Sequence, residues 1–359
     1  MTVILAEAGV NHNGRLDLAL ALVDAAADAG ADIVKFQTFK ASALVTASAK
    51  KAHYQTETTG GSNTQYEMLK ALELDLGAHR AIVERCRERR IEFLSTPFDA
   101  GSLDLLVRDL GVKRLKIGSG DMNNAPHVLA IARTGADIIL STGMATVDEI
   151  EEALGVIAFG FSGRDGAPSR AAFKAAWADA ACRATVARKT VVLHCTTAYP
   201  TPPSDINLKA MDDLSRRFQV PIGFSDHSDG IAIPIAAVAR GAVMIEKHIT
   251  LDRAMEGPDH RASLDPVQFA AMVRGIRDTS AALGHGRKEP TALELGNAGA
   301  ARKSVVAARG IAAGEVFTAE VLGIKRPGIG LAPIRYWELI GRRASRAYAV
   351  DDLIEETLD

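Results

Sequence analysis

Short apolar runs alternate along this chain with longer stretches of helical period. Eight of the runs read as strands: TVILAEAGV, ADIVKFQTF, IEFLSTPF, KRLKIGSG, DIILSTGM, TVVLHCTT, PIGFSDHS and VMIEKHIT. Between them lie helical patterns such as LDLALALVDAAADAG, closed by Gly30, and TVDEIEEALGVI, where Thr146 and Glu149 have the spacing of a capping box. Strand and helix alternating in this way mark a parallel sheet wrapped by helices. Eight units over roughly 280 residues predict a (β/α)8 TIM barrel, with an open doubly wound sheet as the alternative.

The polarity of the strands sharpens that picture. Nearly every one opens apolar and closes polar. Glu7, Lys35 with Gln37, Ser95 with Thr96, Lys116 with Ser119, Ser141, His194 with Thr197, Ser225 with His227, and Glu246 with His248 all fall at or just past strand ends. In a barrel those ends converge on one rim, where the catalytic groups of such enzymes lie. A barrel with no site would not need ionisable groups on so many strands.

Two interruptions divide the chain. FGFSGRDGAPSRAAFKAAWADAACRATVARKT is an insertion before the sixth strand, with a helical stretch of its own. The Gly- and charge-rich run GHGRKEPTALELGNAGAARKS reads as a linker. The expected division is a barrel over 1–284, a linker over 285–300 and a small, mostly irregular or β module over 301–359.

Composition narrows the function classes. The 359 residues are 47% hydrophobic and 24% charged, the balance of a globular protein with a sizeable core. Lys plus Arg number 42 and Asp plus Glu 44, a net charge of −2, which gives no global attraction to nucleic acid or membrane. Three cysteines without a CxxC pair suit a reducing compartment. The start, MTVILAEAGV, lacks a basic region and is interrupted by Glu7, so it reads as neither signal peptide nor span. The expectation is a cytoplasmic protein.

Among the candidate groups, His227 and His248 end neighbouring strands. Two imidazoles there either ligate a divalent transition metal with open positions left for substrate, or are hydrogen-bonded rim histidines. His12, His53, His79, His127 and His285 have no such placement. Lys35, Lys116 and Lys247 either bind anions, form Schiff bases or pair with Glu7 and Glu246. With the hydroxyls of Ser95, Thr96, Ser119, Ser141 and Ser225, and the glycines of KIGSGD, they suggest a doubly anionic small substrate. Asp259, in the loop EGPDHRAS, either binds sugar hydroxyls or caps the helix opening near Asp265.

Taken together, AEAGVNHNG, VKFQTFKA, STPFD, KIGSGDMNN, ILSTGMAT, LHCTTAYPTP, GFSDHS, IEKHITLD and EGPDHRAS resemble the sialic acid synthase family, which includes legionaminic acid synthases. KRPGIG in the tail resembles the antifreeze-like SAF domain joined to those barrels. The resemblance implies condensation of phosphoenolpyruvate with an N-acylated mannosamine-type sugar, by C–O cleavage, on a TIM barrel followed by a SAF β-clip domain in a domain-swapped homodimer. It places phosphoenolpyruvate on Lys35, Thr96, Lys116, Ser119, Ser141 and Ser225. It places manganese, with Mg2+ or Co2+ as alternatives, on His227 and His248. The sugar falls to Gln37, Thr197, Tyr199 and Asp259, with Arg326 as the arm from a partner chain, and Glu7 orients the sugar or moves a proton. Thr197 stands where some members carry asparagine, Ala198 replaces a larger residue, and several relatives lack the insertion. N-acetylmannosamine is the first acceptor expected and a diacetamido trideoxymannose the second. Two other classes stay open: a Schiff-base aldolase on Lys116 or Lys247, and a non-catalytic binding protein.

Overall fold

The structure is a computed structural model that describes residues 2–51, 56, 59, 64–164 and 166–355. His53 lies outside the described residues. Two compact units emerge, Met1–Gly284 and His285–Asp359.

The first unit carries eight parallel strands: β1 (Val3–Gly9), β2 (Ile33–Thr38), β3 (Glu92–Pro97), β4 (Arg114–Ile117), β5 (Asp137–Ser141), β6 (Thr190–Cys195), β7 (Ile222–Asp226) and β8 (Met244–His248). Their order is β3-β2-β1-β8-β7-β6-β5-β4, and β3 lies against β4 at the seam. At least one helix follows each strand. This is the (β/α)8 barrel expected from the alternating pattern.

Alternation along the strands sorts the side chains into two layers. Ile4, Ala6 and Ala8 of β1, Val34 and Phe36 of β2, Leu115 and Ile117 of β4, and Phe224 of β7 join the large core under the helices. Leu5, Ile33, Leu94, Ile139, Leu193 and Met244 form a separate cluster inside the barrel. The next inward positions up the strands are charged or polar. Glu7 lies beside Lys35 in the β1–β2 register and beside His248 in the β1–β8 register, while Ser225 lies beside Glu246. An apolar plug thus fills the lower barrel and leaves the ionisable groups at the C-terminal rim.

The helix Val147–Ser162 carries the expected capping box, with both Thr146–Glu149 hydrogen bonds present. The insertion folds as two helices, Arg170–Ala178 and Ala180–Lys189. Asp265 caps the last barrel helix, Pro266–Ala282, through the backbone of Gln268, so the capping alternative for Asp259 is withdrawn.

In the second unit β9 (Ser304–Ala307) pairs antiparallel with β10 (Leu322–Lys325), and a small core forms around Phe317, Val305 and Tyr348. The stretch read as linker contains the helix Ala292–Ala301, opened by a Thr291–Glu294 capping box. Its glycines and exposed charges concealed that helix. Arg326 is exposed just after β10. Among the described residues, no helix is long and apolar enough to cross a membrane.

Candidate active site

A cavity of about 230 Å3 opens at the rim of the barrel. It is lined by Glu7, Lys35, Gln37, Thr96, Lys116, Ser119, Ser141, Thr197, Tyr199, Ser225, His227, His248 and Asp259, which are all the candidate site residues except Arg326. Every strand but β6 brings at least one of them up from inside the barrel, Thr96 on β3 included, and β6 leads into Thr197 and Tyr199.

The floor is a buried charge network. Lys35 Nζ sits 2.7 Å from Glu7 Oε2 and 3.9 Å from Glu246 Oε2. Lys116 donates to Glu246 Oε1 at 3.1 Å, and Ser225 donates to the same oxygen at 2.9 Å. Burial alone would raise the Glu246 carboxyl, yet Lys116 and Lys35 outweigh it and hold it below the usual carboxylate range. Glu7 goes the other way: burial raises it to about 7 despite Lys35, with Glu246 adding to the rise. Two carboxylates sharing one lysine separate in this manner. Burial lowers Lys116 even with Glu246 beside it, whereas at Lys35 the two glutamates overcome burial and raise the ammonium. Both ion pairs that the sequence allowed are therefore present.

Beside this floor the backbone holds one of the cavity's hydroxyls. The Gly143 N–H donates to Ser119 Oγ at 2.9 Å, and Ser119 also lies 3.2 Å from Cys195 Sγ. A Cβ on Gly143 would come within 2.7 Å of Thr197 Cγ2 and 2.9 Å of Ser119 Oγ, so the approach needs glycine. Ser141 Oγ is buried without a hydrogen-bond partner. Gly9 ends the β1 bulge with φ of +51°, where its backbone faces Glu7, Gln37 and Asp259. Burial raises Asp259 to about 6, with Lys35 opposing.

His227 and His248 have ring centroids 5.4 Å apart. The His227 Nδ1–H donates to the Thr196 carbonyl at 2.6 Å, which leaves a lone pair on Nε2. His248 Nδ1 is buried with no hydrogen bond, 3.9 Å from Asp259 Oδ2. Burial lowers both imidazoles, His227 to about 4 and His248 well below its ordinary value. Neutral rings with a free lone pair are the form that ligates a cation. The pair fits a divalent metal with open positions, and among the described residues no third His, Cys, Asp or Glu completes a closed set. Tyr199 packs on His227 at 4.3 Å between centroids.

Some candidates lie elsewhere. Ser95 turns outward and bonds Thr38 Oγ1 at 2.7 Å and the Phe36 carbonyl at 3.0 Å. Lys247 is fully buried against Asp226 and does not line the cavity, which removes it as a Schiff-base lysine. His79 and His127 bond the Asp75 and Pro97 carbonyls. Glu246 reads from the sequence as a strand-end group and an ion-pair partner without a site role; its place two residues before His248 puts both on the inward side of β8. Met68, Leu69 and Leu72 also line the cavity, from an excursion between β2 and β3 where strand-end reasoning does not reach.

The sequence profile of the NeuB family matches residues 22–288, and that of the SAF domain matches 302–355. The chain belongs to the NeuB family. It is 45% identical to the N,N'-diacetyllegionaminic acid synthase of Campylobacter jejuni, across 99% of each chain. It is 43% identical to the protein of that name from Legionella pneumophila, across 95% of this chain and 90% of that one. The crystal structure of an N-acetylneuraminic acid synthetase from Leptospira borgpetersenii superposes with a TM-score of 0.67 at 35% identity, across 83% of this chain and 90% of that one. The NeuB-family membership and the SAF match bear out the resemblance read from the motifs. The chain is an enzyme, a carbon–carbon bond-forming transferase of the phosphoenolpyruvate-dependent nonulosonate synthase class. The non-catalytic reading is withdrawn.

Proposed function

We propose that this enzyme condenses phosphoenolpyruvate with 2,4-diacetamido-2,4,6-trideoxymannose and water, yielding N,N'-diacetyllegionaminic acid and phosphate. The observation that carries the reading is the 45% identity to a synthase of that name over 99% of both chains. The N-acetylneuraminic acid synthetase stands at 35%, so the order of acceptors expected from the sequence is reversed.

In this reading C3 of phosphoenolpyruvate attacks the aldehyde carbon of the open-chain sugar. Water adds at C2, and the C2–O bond breaks as phosphate departs with its electron pair. Lys35 and Lys116 offset the charge of phosphate and carboxylate, in a buried setting where each ion pair counts for more than in water. Thr96, Ser119, Ser141 and Ser225 position those anions, and the orphaned Ser141 hydroxyl supports a ligand there. Gln37, Thr197, Tyr199 and Asp259 take the sugar. Glu7, raised by burial, orients it or accepts a proton. A divalent cation on His227 and His248, Mn2+ first and Mg2+ or Co2+ as substitutes, would polarise the aldehyde oxygen as a Lewis acid. A cytoplasmic homodimer with exchanged tails, Arg326 being the reaching residue, belongs to the same proposal and rests on the resemblance alone.

The test is phosphate release from phosphoenolpyruvate with a panel of amino sugars, with and without chelator. The diacetamido trideoxymannose should give the highest kcat/KM, lost on chelation. Preference for N-acetylmannosamine would overturn the acceptor, and silence with every sugar would overturn the reaction.

A further inference from the structure

The cavity has two kinds of wall. The floor carries the lysines, carboxylates and imidazoles described above. The rest of the lining includes Val10, Met68, Leu69, Leu72, Phe98 and Pro258. Phosphoenolpyruvate and sugar hydroxyls offer nothing to such a surface. Val10, Met68 and Leu72 also form a hydrophobic cluster of their own with Phe39, flanked by Leu69 and Phe98 and separate from both barrel cores.

The wall is built deliberately. Met68, Leu69 and Leu72 come from the helix Gln65–Ala71 and its C-terminal cap, where spacings of three and four residues put them on one side. Thr64 and Glu67 close a capping box at the helix start. At its end Glu73 accepts from the Ala41 backbone at 2.8 Å and pairs with Lys70 at 3.0 Å, tying the helix to the chain leaving β2. Phe98 packs edge-on against Phe39, with centroids 6.2 Å apart. Met68 and Leu72 are 7% exposed, whereas Leu69 is half-buried and free to meet a ligand.

We propose that Met68, Leu69 and Leu72, with Val10 and Phe98, select the acceptor by receiving its methyl-bearing part: the C6 deoxy carbon and the 4-acylamido group of a deoxy amino sugar. This rests on the reading above and adds the residues that discriminate. A 6-hydroxyl set against the wall would lose water without gaining a hydrogen bond, while a methyl loses nothing. One methyl-sized contact in an apolar pocket is worth about tenfold or more in kcat/KM.

The test compares wild type with Leu69→Asn, which keeps the approximate volume and makes the surface polar. Phosphate release is measured with 2,4-diacetamido-2,4,6-trideoxymannose and with N-acetylmannosamine. The variant should lose about tenfold in kcat/KM for the trideoxy sugar and less than about threefold for N-acetylmannosamine, with KM for phosphoenolpyruvate unchanged. A purely structural role would lower both sugars by one factor, and that result overturns the proposal. The ratio is informative whichever sugar wild type prefers, so a wrong acceptor and a wrong wall give different outcomes. If wild type turns over neither, calorimetric binding of each sugar in the presence of phosphoenolpyruvate decides, and equal effects or no binding count against the wall. Val10→Thr, nearly isosteric, repeats the comparison should Leu69→Asn fail to fold.

Discussion

Lys247 Nζ lies 2.6 Å from Asp226 Oδ2, and neither side chain has any solvent exposure. The two residues are register partners on β7 and β8, each adjacent in sequence to one of the paired histidines. Lys247 also donates to the Ser228 carbonyl at 2.5 Å, and Asp226 accepts from the Ser228 backbone at 2.9 Å. The pair therefore fixes the turn of chain that carries His227 beside the residue that precedes His248. Removing one partner leaves a buried charge, so Lys247→Met should cost about 3–5 kcal/mol. Adding Asp226→Asn should restore part of it. Urea denaturation of the two single variants and the double variant measures the coupling; additive losses would refute it.

The histidines themselves make a separate prediction. His248→Ala breaks no hydrogen bond at Nδ1, so the fold should survive. Loss of an outer partner of a metal ligand weakens binding by about 10–100-fold, and loss of a ligand should exceed that. Titration calorimetry with Mn2+ should show wild-type binding and none measurable in the variant. Equal binding by both proteins would remove the metal from these rings.

Much of this is legible in the sequence, for an identifiable reason. Strands of a barrel alternate inward and outward, so Lys35, Lys116, Ser225 and His248 at strand ends had to rise on one rim. The same parity sends Ser95 outward, where it bonds the Phe36 carbonyl, although its neighbour Thr96 faces the cavity. Strand ends alone could not tell those two apart; the inward position of Leu94 does. The apolar wall of Met68 and Leu72 was illegible because it comes from a helix inside a connection, where no period-two rule applies. The helix Ala292–Ala301 was missed because its sequence contains two glycines and follows a charge-rich turn, the composition of a linker.

Close backbone approach at Gly143 carries a prediction of its own. A methyl there would meet Ser119 Oγ at 2.9 Å and Cys195 Sγ at 3.2 Å. Thr197 is exposed and can yield, but Ser119 would have to leave the Gly143 N–H. Gly143→Ala should raise KM for phosphoenolpyruvate about tenfold, the worth of one hydrogen bond to a charged ligand, with little change in melting temperature. An unchanged KM would detach this loop from the anion.

Acid stability follows from a buried histidine that does not line the cavity. His12 is fully buried, and its Nδ1 accepts from the Gly14 backbone at 3.0 Å, so the ring is neutral and carries its proton on Nε2. Burial lowers it to about 4, with His79 and His260 pushing the same way. In the unfolded chain the ring titrates at its ordinary value of 6.5. Between those two values the unfolded state binds a proton that the folded state refuses, so stability falls with falling pH. The contribution is complete above pH 6.5 and is lost as the pH approaches 4, about 3 kcal/mol in all. His12→Gln keeps a polar side chain without that titration. Unfolding free energies from urea titrations between pH 7 and pH 4 should fall less steeply in the variant, by roughly that amount across the range. Parallel curves for the two proteins would show that His12 takes up its proton without opening the fold.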